Sequence, residues 1–276
     1  MYDGPILDNH LHLDPVNGRG ADAAEEFADA GGTHLLVLNK PSWYFSDEQS
    51  ADAFRRTFEV TCEGTREASK RLPGRAWPVL GVHPALISQL VDAGYTPTDA
   101  GELMKEGLDI AAEFVANGPA IALKSGRPHY EVSAEVWDVS NEVMRHAFSL
   151  GAELGCAVQL HTEGGDDFED VAKWAESRGL PREQVVKHYS DGPVSGPIAS
   201  VISKRDALEA VIESGEPFLM ETDFLDDPDR PGAVLGPKTV PKRSRWVAET
   251  GREHALKTAH VDTPARVYGI DTEATL

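Results

Sequence analysis

Along the chain, short apolar runs alternate with longer polar stretches in which apolar residues recur at helical spacing. The runs predict strands over 6–13, 34–39, 76–82, 120–124, 157–161, 185–189, 199–202 and 218–223. Between them the 3.6-residue periodicity predicts helices over 21–30, 47–71, 98–117, 134–154, 168–178, 204–214 and 243–259. Glycine and proline mark several joins: Gly31-Gly32, Gly118-Pro119, Gly179-Leu180-Pro181 and Gly215. Alternating β and α units imply a parallel sheet, and eight of them imply closure into a (β/α)8 TIM barrel of the α/β class. At 276 residues the chain is close to the ~250 that one such barrel needs, so one domain spanning 1–276 is expected. The segment 226–241, rich in Asp, Pro and Gly, follows the last strand where a lid would lie.

Composition narrows the setting. The chain is 41% hydrophobic, with no run approaching the ~20 apolar residues of a membrane span, so no membrane association is expected. The start, MYDGPILDNHLHLD, lacks the basic and apolar regions of a secretory signal, and Cys62 and Cys156 are far apart in sequence; a cytoplasmic location is the expectation. Acidic residues outnumber basic ones by 46 to 26, a formal charge of −20, and they are dispersed over predicted helices (Asp22, Glu25, Glu26, Asp29; Glu169, Asp170, Glu176). A solvated acidic shell of this kind suits a halophilic protein and opposes tight non-specific binding to nucleic acid.

Catalytic residues of a parallel barrel gather at the C-terminal strand ends. His10 and His12 end the first predicted strand at i and i+2, and so share one side of it; His161, His188 and Asp223 end the fifth, sixth and eighth. Taken singly, each has a bland reading, a hydrogen-bonded surface histidine or an N-capping aspartate. Five potential ligands at the same topological position point instead to a metal.

The pattern resembles the amidohydrolase superfamily and, within it, the TatD-type metal-dependent hydrolases. The resemblance rests on His10-Leu11-His12, Gly81-Val82-His83-Pro84, Leu160-His161-Thr162, Lys187-His188-Tyr189 and Glu221-Thr222-Asp223, and covers nearly the whole chain. It implies two divalent ions (Zn, Mn or Mg), a bridging water and hydrolysis of a phosphoester on a small molecule or a nucleic-acid end. One position departs from it. Where the TatD pattern has a metal-bridging Glu on strand four, this chain has Lys124 in Ala122-Leu123-Lys124-Ser125-Gly126. A free ammonium there would repel two divalent cations by several kcal/mol even at an effective dielectric of ~20. Other branches of the superfamily convert a lysine on this strand to a carbamate, so a carboxylated Lys124 bridging two metals is the expectation. The alternatives are one metal with Lys124 as a cationic clamp, or a lysine extended toward solvent at the barrel mouth.

On this reading His10, His12, Lys124 and Asp223 hold one ion, and Lys124, His161 and His188 the other, with Asp223 as general base. His83, Arg127 and His129 are candidate substrate contacts, and Glu163 could orient a ligand histidine. Tyr189, Asp191, Lys238 and segment 226–241 could close over the substrate. Hydrolysis of a lactone, amide or ester through a carbamate bridge is the alternative function, and a barrel that has lost catalysis is a third.

Overall fold

In the computed structural model, which describes residues 2–276, the apolar runs form parallel strands that alternate with helices. The strands are β1 (Leu7–His12), β2 (His34–Leu38), β3 (Ala76–Gly81), β4 (Ala122–Gly126), β5 (Ala157–His161), β6 (Val185–Ser190), β7 (Ile198–Ile202), β8 (Phe218–Glu221) and the short β9 (Phe224–Leu225). The helices are α1 (Ala21–Asp29), α2 (Ala51–Ser69), α3 (Leu86–Asp92), α4 (Pro97–Ala116), α5 (Ala134–Leu154), α6 (Glu169–Ser177), α7 (Arg205–Ser214), α8 (Thr239–Glu249), α9 (Glu253–Lys257) and α10 (Thr263–Tyr268). The strand row runs β8-β7-β6-β5-β4-β3-β2-β1-β9. Because only two residues separate β8 from β9, the two ends of the row are halves of one interrupted strand, and the row closes into a TIM barrel.

Strand alternation sorts the core. Leu7, Leu36, Leu38, Val79, Ala122, Ala157, Val186 and Leu219 form one buried cluster inside the barrel, joined by Val267 and Ile270 from the C-terminal segment. Their sequence neighbours Leu35, Val37, Leu80, Leu123, Val158 and Met220 face the helices, packing with Phe54, Phe58 and Phe148 on one flank and Phe27 and Leu208 on the other.

Two irregularities shape the mouth. Leu7 faces the interior, so strict alternation would turn His10 and His12 outward. The β1–β2 register slips between Asp8↔Leu35 and Leu11↔Val37, three residues against two. This bulge reverses the parity: Leu11 joins the helix-facing core and the two histidines turn inward. The Asp8 carboxylate holds the bulge, accepting from the backbone N–H of His10 (3.2 Å) and of Thr222 (3.1 Å) and from the Thr222 hydroxyl (2.6 Å). The second irregularity is the break in the last strand, where Asp223 adopts φ 52° and its N–H donates to the His10 carbonyl at 2.9 Å.

The sequence expectation for the last helix, 243–259, needs correction. Gly251 (φ 77°) ends α8 at Glu249, and a π-helical turn, Thr258–Asp262, leads into α10. His260 anchors that turn, accepting from the Leu7 N–H at 3.2 Å while its other ring nitrogen bonds Ser244 Oγ at 2.9 Å. The second predicted helix begins at Ala51 rather than 47, because Ser50 caps it, its side chain accepting from the Ala53 N–H. The periodicity also missed α3 and α10, each under two full turns long. Segment 226–241 is not wholly a loop, since α8 starts at Thr239 and Asp226 is buried. Among the described residues no helix is long and apolar enough to cross a membrane.

Candidate metal centre

The histidines of β1 are oriented from behind. Gln159 donates its amide to the Asn9 carbonyl (3.1 Å) and to the Tyr268 hydroxyl (2.9 Å), which turns its oxygen toward His10 Nδ1 at 2.8 Å. That oxygen only accepts, so His10 carries its proton on Nδ1 and leaves a lone pair on Nε2. His12 Nδ1 likewise donates to the Leu38 carbonyl at 3.0 Å, freeing its Nε2. The two free nitrogens lie 3.7 and 3.8 Å from one oxygen of Asp223. His10 Nε2 is buried without a hydrogen-bond partner. Two imidazole lone pairs and a carboxylate oxygen that converge without bonding one another are the donor set of a divalent ion, whose bonds to such ligands run about 2.0–2.2 Å. These residues fit the metal that the strand-end pattern predicts.

A second group adjoins the first. The His188 ring stacks on His10 with centroids 3.9 Å apart and planes 14° apart. Its Nδ1 donates to Glu221 Oε1 at 3.1 Å, leaving Nε2 to share a hydrogen bond with His161 Nδ1 at 2.9 Å. His161 Nε2 in turn meets His129 Nδ1 at 2.9 Å, and the His83 ring lies 4.5 Å from that of His161. Burial holds His10, His12, His83, His161 and His188 well below the ordinary imidazole range, and the Lys124 charge adds to the effect on each. Neutral imidazoles are the form that binds metal.

Lys124 stands on β4 opposite Gly81 of β3 and Gln159 of β5, buried, and its ammonium makes no hydrogen bond or ion pair among the described residues. Burial lowers its pKa to about 8 against the opposing pull of Asp223 and Glu221. Burial also raises Asp223 to about 6, with Lys124 pulling it down. β4 and β5 approach closely at Gly126 (φ 151°), where a side chain would collide with the His161 carbonyl.

The structure thus brings His10, His12, Lys124, His161, His188, Asp223, His83 and His129 together. It does not bring Arg127 to them. That guanidinium is buried against Glu163, Asn141 Oδ1 (3.4 Å) and Asp170 (3.6 Å), with the ring centroids of Trp137 and Trp174 at 4.7 and 5.8 Å. Glu163 is correspondingly bound to Arg127 rather than to a histidine. Asp191 pairs with Lys204 at 3.5 Å and Lys238 with Glu26 at 3.1 Å. Sequence reasoning missed Asp8, Gln159 and Glu221. The available signal was a polar residue inside an otherwise apolar strand run; Glu221 also precedes Asp223 by two residues. Glu221 accepts from His188, from the Tyr189 N–H (2.9 Å) and from the Ser200 hydroxyl.

A parallel barrel that carries histidines at the ends of β1, β5 and β6 and an aspartate beyond β8 is the arrangement of a metal-dependent hydrolase. The chain belongs to the TatD-related DNase family, whose model matches residues 7–269. An uncharacterised protein of Methanocaldococcus jannaschii is 34% identical over 281 residues, covering 98% of this chain and 97% of that one. Among solved structures, an organophosphorus hydrolase of Deinococcus radiodurans matches with a TM-score of 0.59 at 14% identity, covering 96% of this chain and 92% of its own. A lactonase of Listeria monocytogenes matches with a TM-score of 0.62 at 13% identity, covering 96% and 94%. At these identities the likeness is one of fold.

Proposed function

We propose that the protein is a metal-dependent hydrolase of a small ester or lactone, in which His10, His12 and Asp223 would hold one divalent ion and His161 and His188 a second, with Lys124, as its carbamate, supplying an anionic ligand between the two groups. The observation that carries this reading is the orphaned, buried His10 Nε2 aimed with His12 Nε2 at the Asp223 carboxylate. Divalent ions bound there would supply Lewis acidity that activates water near neutral pH. The chain's own residues supply the rest. Gln159, Leu38 and Glu221 hold each imidazole in the metal-binding tautomer. Asp223 is the carboxylate that takes a proton from water and returns it to the leaving group. Lys124 Nζ attacks CO2 as the free amine, forming an N–C bond and releasing one proton, and the resulting anion replaces the family's glutamate. Burial, which disfavours the ammonium, supports that step.

The test is metal content by elemental analysis on the native protein, Lys124→Ala and Lys124→Glu, with and without bicarbonate. The expected result is about two ions per chain, raised by bicarbonate in the native protein, reduced in Lys124→Ala and independent of bicarbonate in Lys124→Glu. One ion, indifferent to bicarbonate, would retire the bridge and make Lys124 a free cation.

The preference for a small substrate rests on charge. A nucleic-acid chain is gripped by several free cations. Near the strand ends, Lys40 is tied to Asp14 and Arg127 to Glu163, Lys187 donates to the His188 carbonyl, and Lys204 and Lys238 meet Asp191 and Glu26 in more exposed pairs. Lys124 is left in the centre, with the exposed Arg230 out on the loop after β9. A phosphoester is the second reading, favoured by the DNase name of the family itself. Nitrophenyl phosphates and acyl esters assayed with Mn²⁺ or Zn²⁺ separate the two; turnover of phosphates alone would overturn the carbonyl reading.

A further inference from the structure

Two non-glycine residues among the described residues have positive φ, Asp223 at 52° and Tyr189 at 55°, and both stand at the barrel mouth. Asp223 is strained in the service of the metal centre. The Tyr189 backbone N–H serves the same centre through Glu221, but its side chain has no such role, and a bulky side chain in the left-handed region carries a cost that glycine would avoid. The surrounding structure enforces the conformation. The Tyr189 N–H donates to Glu221 Oε1 at 2.9 Å, the oxygen that also holds His188, and the β6–β7 register slips between Lys187↔Ala199 and Ser190↔Val201. The side chain, by contrast, does little for the fold. It is 38% exposed and its hydroxyl makes no hydrogen bond among the described residues. Its ring touches the edge of His188 (6.0 Å, 74°), with the Lys204 ammonium 5.8 Å from its centroid. Backbone strain that persists beside a reactive centre without a packing return is the mark of a functional side chain.

The neighbouring rim has the same character. Tyr130, 39% exposed, lies edge-on to His129, and Trp43 lies edge-on to His83. His129 and His83 both adjoin His161, so Tyr130 and Trp43 meet the histidine cluster through that end and Tyr189 meets it through His188.

We propose that Tyr189 is a substrate-contacting residue whose ring packs on an uncharged aromatic or apolar group next to the scissile bond, so that the substrates are neutral esters or lactones bearing such a group. The proposal rests on the hydrolase reading above. Aromatic faces bind such groups by area and by ring stacking.

The experiment uses the metal-loaded protein and its Tyr189→Gly, Tyr189→Asn and Tyr189→Phe variants. Three quantities are measured: the melting temperature, the affinity for acetanilide by NMR titration, and turnover of phenyl acetate. Glycine and asparagine both tolerate positive φ, so these variants are expected to melt at or above the native temperature, the glycine variant a few degrees higher, while binding acetanilide at least tenfold more weakly. Tyr189→Phe keeps the ring and is expected to bind within about twofold of native. A structural role predicts the reverse, a lower melting temperature with affinity unchanged in whatever remains folded. Native-like acetanilide affinity in Tyr189→Gly, or no binding by the native protein, overturns the proposal. Binding that follows the ring while phenyl acetate is never turned over upholds the contact and retires the ester and lactone reading instead.

Discussion

At the scale of single residues, the candidate ligand histidines matter less alone than through the groups behind them. An imidazole is a ligand only when one nitrogen is free, and Gln159 decides which nitrogen of His10 that is. Gln159→Leu fills similar space but cannot accept the Nδ1 proton. It is expected to lower affinity for Zn²⁺ or Mn²⁺ roughly 10–100-fold with the fold retained, since loss of an orienting partner has that effect in other metal sites; competition titration against a chromogenic chelator reads it, and unchanged affinity would mean that His10 needs no orienting partner. His10, His12, His161, His188 and Asp223 were legible because the barrel rule fixes where reactive residues fall along each strand. Gln159, Glu221 and Asp8 were not, because a polar residue in an apolar run acquires meaning only from what lies across the barrel. Arg127 shows the opposite limit. Its position after β4 suggests a substrate contact, yet its side chain is enclosed by Trp137, Trp174 and Glu163, none of which is near it in sequence.

At the scale of elements, the loops that carry the ligands are joined by a buried charge cluster. Lys40, just beyond β2, donates to Asp14 Oδ2 at 2.8 Å and to the Asp226 carbonyl at 3.0 Å. The Asp226 carboxylate accepts from the N–H groups of Asp14 (3.0 Å), Arg19 (2.9 Å) and Gly20 (2.8 Å). The turn after β1, the end of β2 and the chain beyond β9 are thereby fixed to one another, two residues from His12 and three from Asp223. Lys40→Met would leave Asp14 buried without its cation. Removing one partner of a buried pair costs roughly 3–5 kcal/mol, far more than an exposed pair. Urea unfolding of Lys40→Met is expected to show a loss of that order; a change below ~1 kcal/mol would mean that the cluster is solvated and does not fix the loops.

At the scale of the whole molecule, the excess of 20 negative charges sets the response to salt. Exposed pairs such as Arg55–Glu113, Lys70–Glu67 and Arg182–Glu176 weaken as salt rises, but each contributes only ~0–1 kcal/mol. The repulsion among unpaired acids is relieved at the same time, as the screening length falls from about 10 Å at 0.1 M to about 3 Å at 1 M. The second effect involves many more charges. The melting temperature is therefore expected to rise by several degrees between 0.1 and 2 M KCl, and a flat or falling curve would count against the reading of the surface as a salt-adapted shell.

The amino-acid order by itself determined the eight main strand runs, the closed parallel barrel and the five strand-end candidate ligands, because side-chain periodicity and strand-end position are local properties of the chain. It also exposed Lys124 as the departure from the family pattern. Only the tertiary structure decided which way β1 faces, since a one-residue bulge held by Asp8 and Thr222 reverses a parity that alternation alone assigns wrongly. It alone decided the tautomers of His10, His12 and His188, the enclosure of Arg127 and the strain at Tyr189. Each of these depends on groups from distant strands meeting at one point, and the chain's order does not specify such meetings until the barrel closes.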